Sequence, residues 1–298
     1  MKQDNRPLMV TIRCTTYNQE AYIRECLEGF VMQKTNFRFE AIVHDDASTD
    51  GTADIIREYE EKYPDIIKPI YETENQHSKH DGSLSRIMDE HTHGKYVAVC
   101  EGDDYWTDPL KLQKQYDFME EHPECSMCFH ANHILLPTGE KLLHKHRMIK
   151  TIYPPEDIIL LDGVHLNTIF YRWKFLKEEG RPDFWKNCPI GDIPTKLYLA
   201  SKGSIGFIND VMSVYRRSSI GGWSCKRRKL TLLQRTNHHK KIIRMYQQYD
   251  DYTKRKYHSQ LQEKVNSLRI VIIKDWIMSI TGARVIRNYL KKMKHCFF

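Results

Sequence analysis

Apolar positions change period repeatedly along the first half of this chain. "LMVTIRC" (8–14) is a short apolar run of strand length. In "EAYIRECLEGFVMQ" (20–33), Ile23, Cys26, Leu27, Phe30 and Val31 recur at helical spacing and form one stripe. "FEAIVH" (39–44) predicts a second strand, and "TADIIREYEEKY" (52–63) a second helix, with Ser48 or Asp50 near its start as a cap. "IIKPIY" (66–71) predicts a weak strand that Pro69, which has no N–H, confines to a sheet edge. "SLSRIMDEHT" (83–92) predicts a helix and "KYVAVCE" (95–101) a strand. Asp108-Pro109 has the chemistry of a helix N-cap and first turn for the following "PLKLQKQYDFMEEH".

Strands alternating with helices predict an α/β fold, with right-handed crossovers and a mainly parallel sheet flanked by helices. Ligands of such sheets bind outside the carboxyl ends of the strands. Three strand ends carry polar clusters: "TTYNQ", "DDASTDGT" and "GDDYW". Beyond residue 111 the pattern is less regular. Strands are predicted at 126–134 and 167–173, a basic loop at 137–150, and a helix at 193–203 closed by Gly203. "SIGFI" and "VMSVYRR" predict a hairpin around Asn209-Asp210. The domain reading is a catalytic domain over 1–225, with a nucleotide-binding half (about 1–110) and an acceptor half (about 111–225). A helical basic tail follows over 226–298.

Charge adds to this picture. Residues 226–298 hold 19 Lys/Arg against 4 Asp/Glu, whereas residues 1–225 hold 27 against 35. In the tail, Val265, Leu268, Ile272, Trp276 and Ile280 recur at helical spacing beside Ile273 and Ile277. Arg284, Arg287, Lys291, Lys292 and Lys294 follow. That make-up suits an interfacial helix on anionic lipid; docking on the catalytic domain or on a second subunit is the alternative. No nucleic-acid motif accompanies the charge, so nucleic acid is not expected as a partner. The longest apolar stretch, "IVIIKDWIMSITGA", is interrupted by Lys274 and Asp275 and is too short to span a bilayer. No signal-peptide pattern opens the chain. Eight cysteines without a framework spacing suggest a reducing, cytoplasmic setting, and the lone C-x-x-C at Cys125 and Cys128 is not expected to bind metal.

Adjacent acids at a strand end suit a hard divalent cation, Mn²⁺ or Mg²⁺, which prefers oxygen ligands. Asp103 and Asp104 are the candidates; a turn or cap role is the alternative, although Asp108 already supplies a cap. Asp45 or Asp46 has the chemistry to accept a hydrogen bond from a base ring N–H, with a plain strand-to-helix loop as the alternative. Neither G-x-G-x-x-G nor G-x-x-x-x-G-K-[ST] is present, which disfavours dinucleotide and P-loop enzymes. His91, His93, His144, His146, His238 and His239 are scattered without a zinc ligand set. Trp106, Trp185 and Trp223 are candidates for a sugar platform or for core packing.

"TTYNQEAYI…CLEGFVMQ", "HDDASTDGT" and "GKYVAVCEGDDYW", in that order, resemble glycosyltransferase family two, and the resemblance extends over about residues 8–225. It implies the GT-A fold and transfer of a sugar from a nucleotide donor, most often a UDP-sugar, with inversion. Thr15 and Asp46 would hold the base, with Tyr17 in the same site and Asp45 a less favoured partner. Asp104 would ligate the metal, and Asp103 would reach ribose or metal. Asp192, in "IGDIP", falls at the family's general base; a helix N-cap also satisfies its spacing. Ser218 stands where many members carry a histidine, so Arg216 or Arg217, or a mobile loop, would meet the diphosphate, with Lys79 a further phosphate candidate. Glu101 reads as a strand-end bystander. The implied acceptor is a saccharide or lipid-linked saccharide in bacterial surface polysaccharide assembly, on the inner face of the plasma membrane. Two rivals remain. A metal-dependent nucleotidyltransferase would usually show a glycine-rich loop after the first strand, which "TTYNQEAY" lacks. A catalytically inactive nucleotide-sugar or glycan binder would have no use for the acids at 104 and 192.

Overall fold

The computed structural model describes residues 4–144, 150–186, 188–217, 225 and 229–280. The chain divides into two compact units, Met1–Pro182 with Gly191–Lys226, and Asp183–Ile190 with Arg227–Phe298.

The first unit is built on one mixed sheet. Its first part runs β1 (Leu8–Thr16), α1 (Ile23–Val31), β2 (Arg38–Asp45), α2 (Thr52–Lys62), β3 (Ile67–Tyr71), α3 (Ser83–Glu90), β4 (Tyr96–Val99), β5 (Tyr105–Trp106) and α4 (Lys111–Glu121). It continues with β6 (Cys125–Leu135), β7 (Lys141–His144), β8 (Ile152–Tyr153), α5 (Pro155–Leu160), β9 (Phe170–Arg172), α6 (Lys174–Glu179), α7 (Asp192–Ala200) and β10 (Ser204–Arg216). The strand order is β3-β2-β1-β4-β9-β6-β10-β5, with β7 on β6 and β8 on β10. β1 pairs in parallel with β2 and β4. β9 is antiparallel to both β4 and β6, so β6, and β10 parallel to it, regain the direction of β1. The carboxyl ends of β1, β2, β4, β6 and β10 therefore share one edge of the sheet. β3 lies at the side of the sheet, where Pro69 costs no ladder hydrogen bond.

The apolar stripe of α1 covers this sheet. Ile23, Cys26, Leu27 and Phe30 are fully buried with Val10, Ile12 and Cys14 of β1 and with Ile56 of α2. Burial of this kind stabilises by about 25 cal/mol per Å² of apolar surface. The core cluster extends to Trp106, whose ring lies edge-on to Phe30 at 5.0 Å.

Several local expectations are corrected. Residues 204–216 form one strand, not a hairpin. Asn209 and Asp210 do not adopt the positive φ that a two-residue hairpin turn needs. Register shifts against β6 between Ile208 and Val211, and again before Ser213, absorb them as an irregularity. Asp210 instead meets Lys114 of α4 at 2.5 Å. The expected basic loop contains β7, which pairs antiparallel with β6 from Asn132↔His144 to Leu135↔Lys141. α4 begins at Lys111 rather than at Pro109. The Asp108 side chain accepts the Leu110 N–H at 2.8 Å and an ammonium bond from Lys114 at 2.8 Å, closing a turn ahead of the helix. Strand 167–173 shrinks to β9, preceded by the 3₁₀ turn Leu166–Thr168.

In the second unit, helices Leu232–Tyr252 and His258–Ile280 follow a Thr231/Gln234 capping box. Trp276 Nε1 donates to Thr236 Oγ1 at 3.1 Å, and His258 Nδ1 meets Asp250 at 2.6 Å. Phe184 lies 5.2 Å from the Tyr249 ring. Ile270, Val271, Ile273, Trp276 and Ile277 are exposed. Among the described residues no helix is long and apolar enough to cross a membrane. The basic segment 283–298 lies outside the described residues.

Candidate active site at the carboxyl edge of the sheet

The three polar strand ends come together. Asp46 N–H donates to Thr16 O at 3.0 Å, which joins the end of β2 to β1. Gly102 N–H donates to Thr15 O at 3.1 Å, which joins the end of β4 to β1 from the other side. A Cβ on Gly102 would sit 2.8 Å from Thr16 Cβ and Oγ1, so only glycine permits this approach. The loops after β1 and β2 are laced to each other. Asn18 N–H donates to Ser48 Oγ at 2.9 Å, Thr49 N–H to Asn18 Oδ1 at 2.8 Å and Gln19 N–H to Thr52 Oγ1 at 2.8 Å. Asp50 Oδ1 accepts both the N–H and hydroxyl of Thr52 at the start of α2. Asn18 and Ala47 hold φ of 51° and 63°, so two non-glycine residues sit in the left-handed region to make these turns.

Within this frame the two aspartates of the second motif differ. Asp46 is buried, and its carboxylate accepts the N–H groups of Gln76 (2.6 Å) and His77 (3.1 Å) from the loop after β3. Asp45 is also buried, but its Oδ1 has no hydrogen-bond partner, and burial raises its carboxyl above the usual range. Beside them His44 is fully buried, with Nε2 3.3 Å from Glu72 and Nδ1 without a partner. Thr15 is half-buried, in register with His44, and Tyr17 is exposed. Lys79 lies in the same β3 loop as Gln76 and His77, with its ammonium 3.1 Å from Glu74.

Across β1 the acids crowd. Asp104 is 2% exposed, and its Oδ1 accepts the backbone N–H of Arg216 from the end of β10 at 2.8 Å. Burial, followed by the neighbouring Asp103, pushes its carboxyl well above the ordinary range. Glu101, expected as a bystander, belongs to the same electrostatic group. Burial of the carboxyl, then Asp103 and Asp192, push it up to about 8. Asp192 is thus within electrostatic reach of Glu101, although 91 residues of chain separate them. It is the first residue of α7, not its N-cap, which is Gly191. Its Oδ1 is buried without a partner. Burial raises its carboxyl, while Lys196 and the first amides of α7 pull the other way.

Carboxyl groups raised by burial and by one another are the environment a hard cation relieves. Asp103 and Asp104 supply two oxygen-donor side chains, which fits a metal that keeps waters and substrate oxygens as its other ligands. Among the described residues no three acids, histidines or cysteines converge into a closed metal cage.

Arg216 reaches the site mainly through its backbone. Its guanidinium pairs with Glu25 of α1 and lies over the rings of Tyr22 (5.1 Å) and Tyr105 (4.8 Å). Arg217 is exposed beside it. Ser218 and Trp223 lie outside the described residues. Trp106 is core: it is 2% exposed, donates to Asn167 O at 3.0 Å, and carries the Lys111 ammonium 3.9 Å from its ring centroid. Trp185 lies in the second unit.

The profile of a family described as Glycosyl transferase family 2 matches residues 11–221. An "Uncharacterized protein" of Mycobacterium tuberculosis is 36% identical over 229 residues, covering 72% of this chain and 60% of its own length. The chain thus spans about three fifths of that relative. The "Putative teichuronic acid biosynthesis glycosyltransferase TuaG" of Bacillus subtilis is 29% identical over 214 residues, covering 70% of this chain and 79% of its own. Among solved structures, S. aureus TarS 1-349 in complex with UDP-GlcNAc aligns with a TM-score of 0.60 at 20% identity, over 80% of this chain and 66% of that one. The mannosyltransferase PcManGT of Pyrobaculum calidifontis, in complex with GDP-Man and Mn²⁺, aligns with a TM-score of 0.56 at 15% identity, over 98% and 81%. The chain belongs to glycosyl transferase family 2, with the GT-A fold.

Proposed function

We propose that this protein is a metal-dependent inverting glycosyltransferase that moves a sugar from a nucleotide donor, a UDP-sugar, to a saccharide or lipid-linked saccharide. The observation that carries the reading is Asp192: its Oδ1 is buried without a partner, and its charge helps to raise the carboxyl of Glu101, at the same strand end as Asp103 and Asp104.

In this reading the loops after β1 and β2 take the nucleoside, with Thr15, Tyr17 and Asp46 at the base. Asp45 brings an unpartnered oxygen to the same corner and is an equal candidate. Asp104 and Asp103 would hold Mn²⁺ or Mg²⁺, which when bound would act as a Lewis acid toward the leaving diphosphate. Arg216, Arg217 and Lys79 are the diphosphate candidates among the cations. Asp192 accepts the proton of the acceptor hydroxyl as that oxygen attacks the anomeric carbon; the bond from that carbon to the diphosphate oxygen breaks, and the nucleoside diphosphate leaves. Attack on the face opposite the leaving group inverts the centre. A general base in this position contributes typically ~10²–10⁴-fold. The donor complexes of TarS and PcManGT, and the Mn²⁺ in the latter, support a nucleotide-sugar donor and a metal. The TuaG relationship supports a place in bacterial surface polysaccharide synthesis. That setting is cytoplasmic, with peripheral membrane contact through the basic tail.

Thermal stabilisation by a panel of nucleotide sugars, with and without Mn²⁺, identifies the donor, since a ligand that binds the native state raises its stability by mass action. With that donor, Asp192→Asn is expected to lose ~10²–10⁴-fold in transfer while still binding the nucleoside diphosphate. A panel without any response, or full activity in the Asn variant, overturns the reading.

A further inference from the structure

The cations proposed above for the diphosphate are unequal. Lys79 is paired with Glu74 at 3.1 Å, and the Arg216 guanidinium is held by Glu25 and flanked by Tyr22 and Tyr105. Lys79 and Arg216 each already have a carboxylate that shares the charge, and Arg217 is exposed beyond the end of β10. Lys141 stands differently. It lies in the stretch expected to be loop, and β7 brings it into register with Leu135 of β6, which is itself in register with Arg216 of β10. Paired residues across neighbouring strands present their side chains to one face of the sheet. Lys141 and Arg216 accordingly flank the same ring, Tyr105, at 5.7 and 4.8 Å from its centroid. Tyr105 directly follows Asp104 in the chain, and Arg216 N–H is bonded to Asp104. The Lys141 side chain is exposed, and its ammonium has no carboxylate among the described residues within ion-pair distance.

We infer that Lys141, resting on Tyr105, is a phosphate-binding arm that reaches over the Asp103–Asp104 motif to the diphosphate of the donor. The inference rests on the nucleotide-sugar reading above. The chemistry is direct. An ammonium on a long stem is a point donor for phosphate oxygens. The face of Tyr105 holds that stem near the site, through a cation–π contact that is weak at an exposed position and leaves the ammonium free to turn to a stronger anion. The acids at 103 and 104 would otherwise repel a diphosphate, so a cation without a competing carboxylate is of most use beside them. The competing account is an edge-strand lysine that serves only to keep β7 from pairing with other chains.

The test is binding of UDP and of uridine to the intact chain at fixed Mn²⁺, by calorimetry for UDP and ligand-observed NMR for uridine, with GDP and guanosine as a parallel pair. Lys141→Gln is expected to weaken the nucleoside diphosphate about tenfold, the loss of one charge-assisted contact. It should leave the nucleoside unchanged, and Lys141→Arg should retain most of the affinity. Because the side chain is exposed, the thermal melt of the ligand-free variant should match wild type. Unchanged diphosphate affinity in Lys141→Gln overturns the inference. Equal weakening of nucleoside and diphosphate overturns it too. If wild type binds neither UDP nor GDP, the nucleotide-sugar reading itself fails, a different outcome from either.

Discussion

Asp104→Asn separates the two demands made on Asp104. The substitution keeps the side-chain shape and an Oδ1 that can still accept the Arg216 N–H at 2.8 Å, and it deletes the charge. In the ligand-free protein that charge is unfavourable, because burial and the neighbouring acids raise the carboxyl far above its ordinary value. A carboxyl raised on folding binds its proton more tightly in the native state. Its penalty is therefore absent below about pH 4 and grows as pH rises toward the native value. Ligand-free Asp104→Asn should equal wild type at pH 4 and be at least as stable at pH 7.5. With Mn²⁺ at 100 times its dissociation constant, binding stabilises wild type by about 2.7 kcal/mol. For a chain of 298 residues, with an unfolding entropy of about 2.1 cal/mol/K per residue, that is roughly 4 °C in Tm. The variant should lose this shift. Calorimetric melts at both pH values, with and without Mn²⁺ and UDP, read all four quantities. A Mn²⁺-dependent shift that survives in the variant refutes Asp104 as a ligand. A ligand-free variant markedly less stable at pH 7.5 refutes the claim that its charge is a burden.

Three further expectations follow from the same geometry. Glu101, pushed up to about 8 from an ordinary 4.5, should make ligand-free stability fall as pH rises between those values, and Glu101→Gln should flatten that part of the profile; an unchanged slope removes Glu101 from the acidic group. Ala47→Gly relieves a φ of 63° at a cost in chain entropy, so urea unfolding should show a net gain of about 0.5–1 kcal/mol, and a loss would mean that the turn is unstrained. Deleting residues 283–298, with their five Lys/Arg, should move the protein from the membrane to the soluble fraction; unchanged partitioning counts against the lipid reading of the tail.

The amino-acid sequence by itself determined the order and type of the first elements and the chemistry at their ends. The helical stripe of α1, the edge position that Pro69 imposes on β3 and the acidic residues after β2 and β4 are all local features. Each depends on periodicity or on one residue's covalent geometry. Tertiary structure decided which of these features meet. Asn209-Asp210 has the composition of a turn, but a long parallel partner in β6 holds residues 204–216 as one strand and carries Arg216 to Asp104. The sequence shows a basic stretch at 137–150, and only the β6–β7 register places Lys141 over Tyr105. The charge coupling of Glu101 to Asp192, and the different hydrogen bonding of Asp45 and Asp46, depend on groups distant in sequence. Periodicity reports which side of an element is buried. It carries no information on what that side is buried against, and the electrostatics of a site are set by that second quantity.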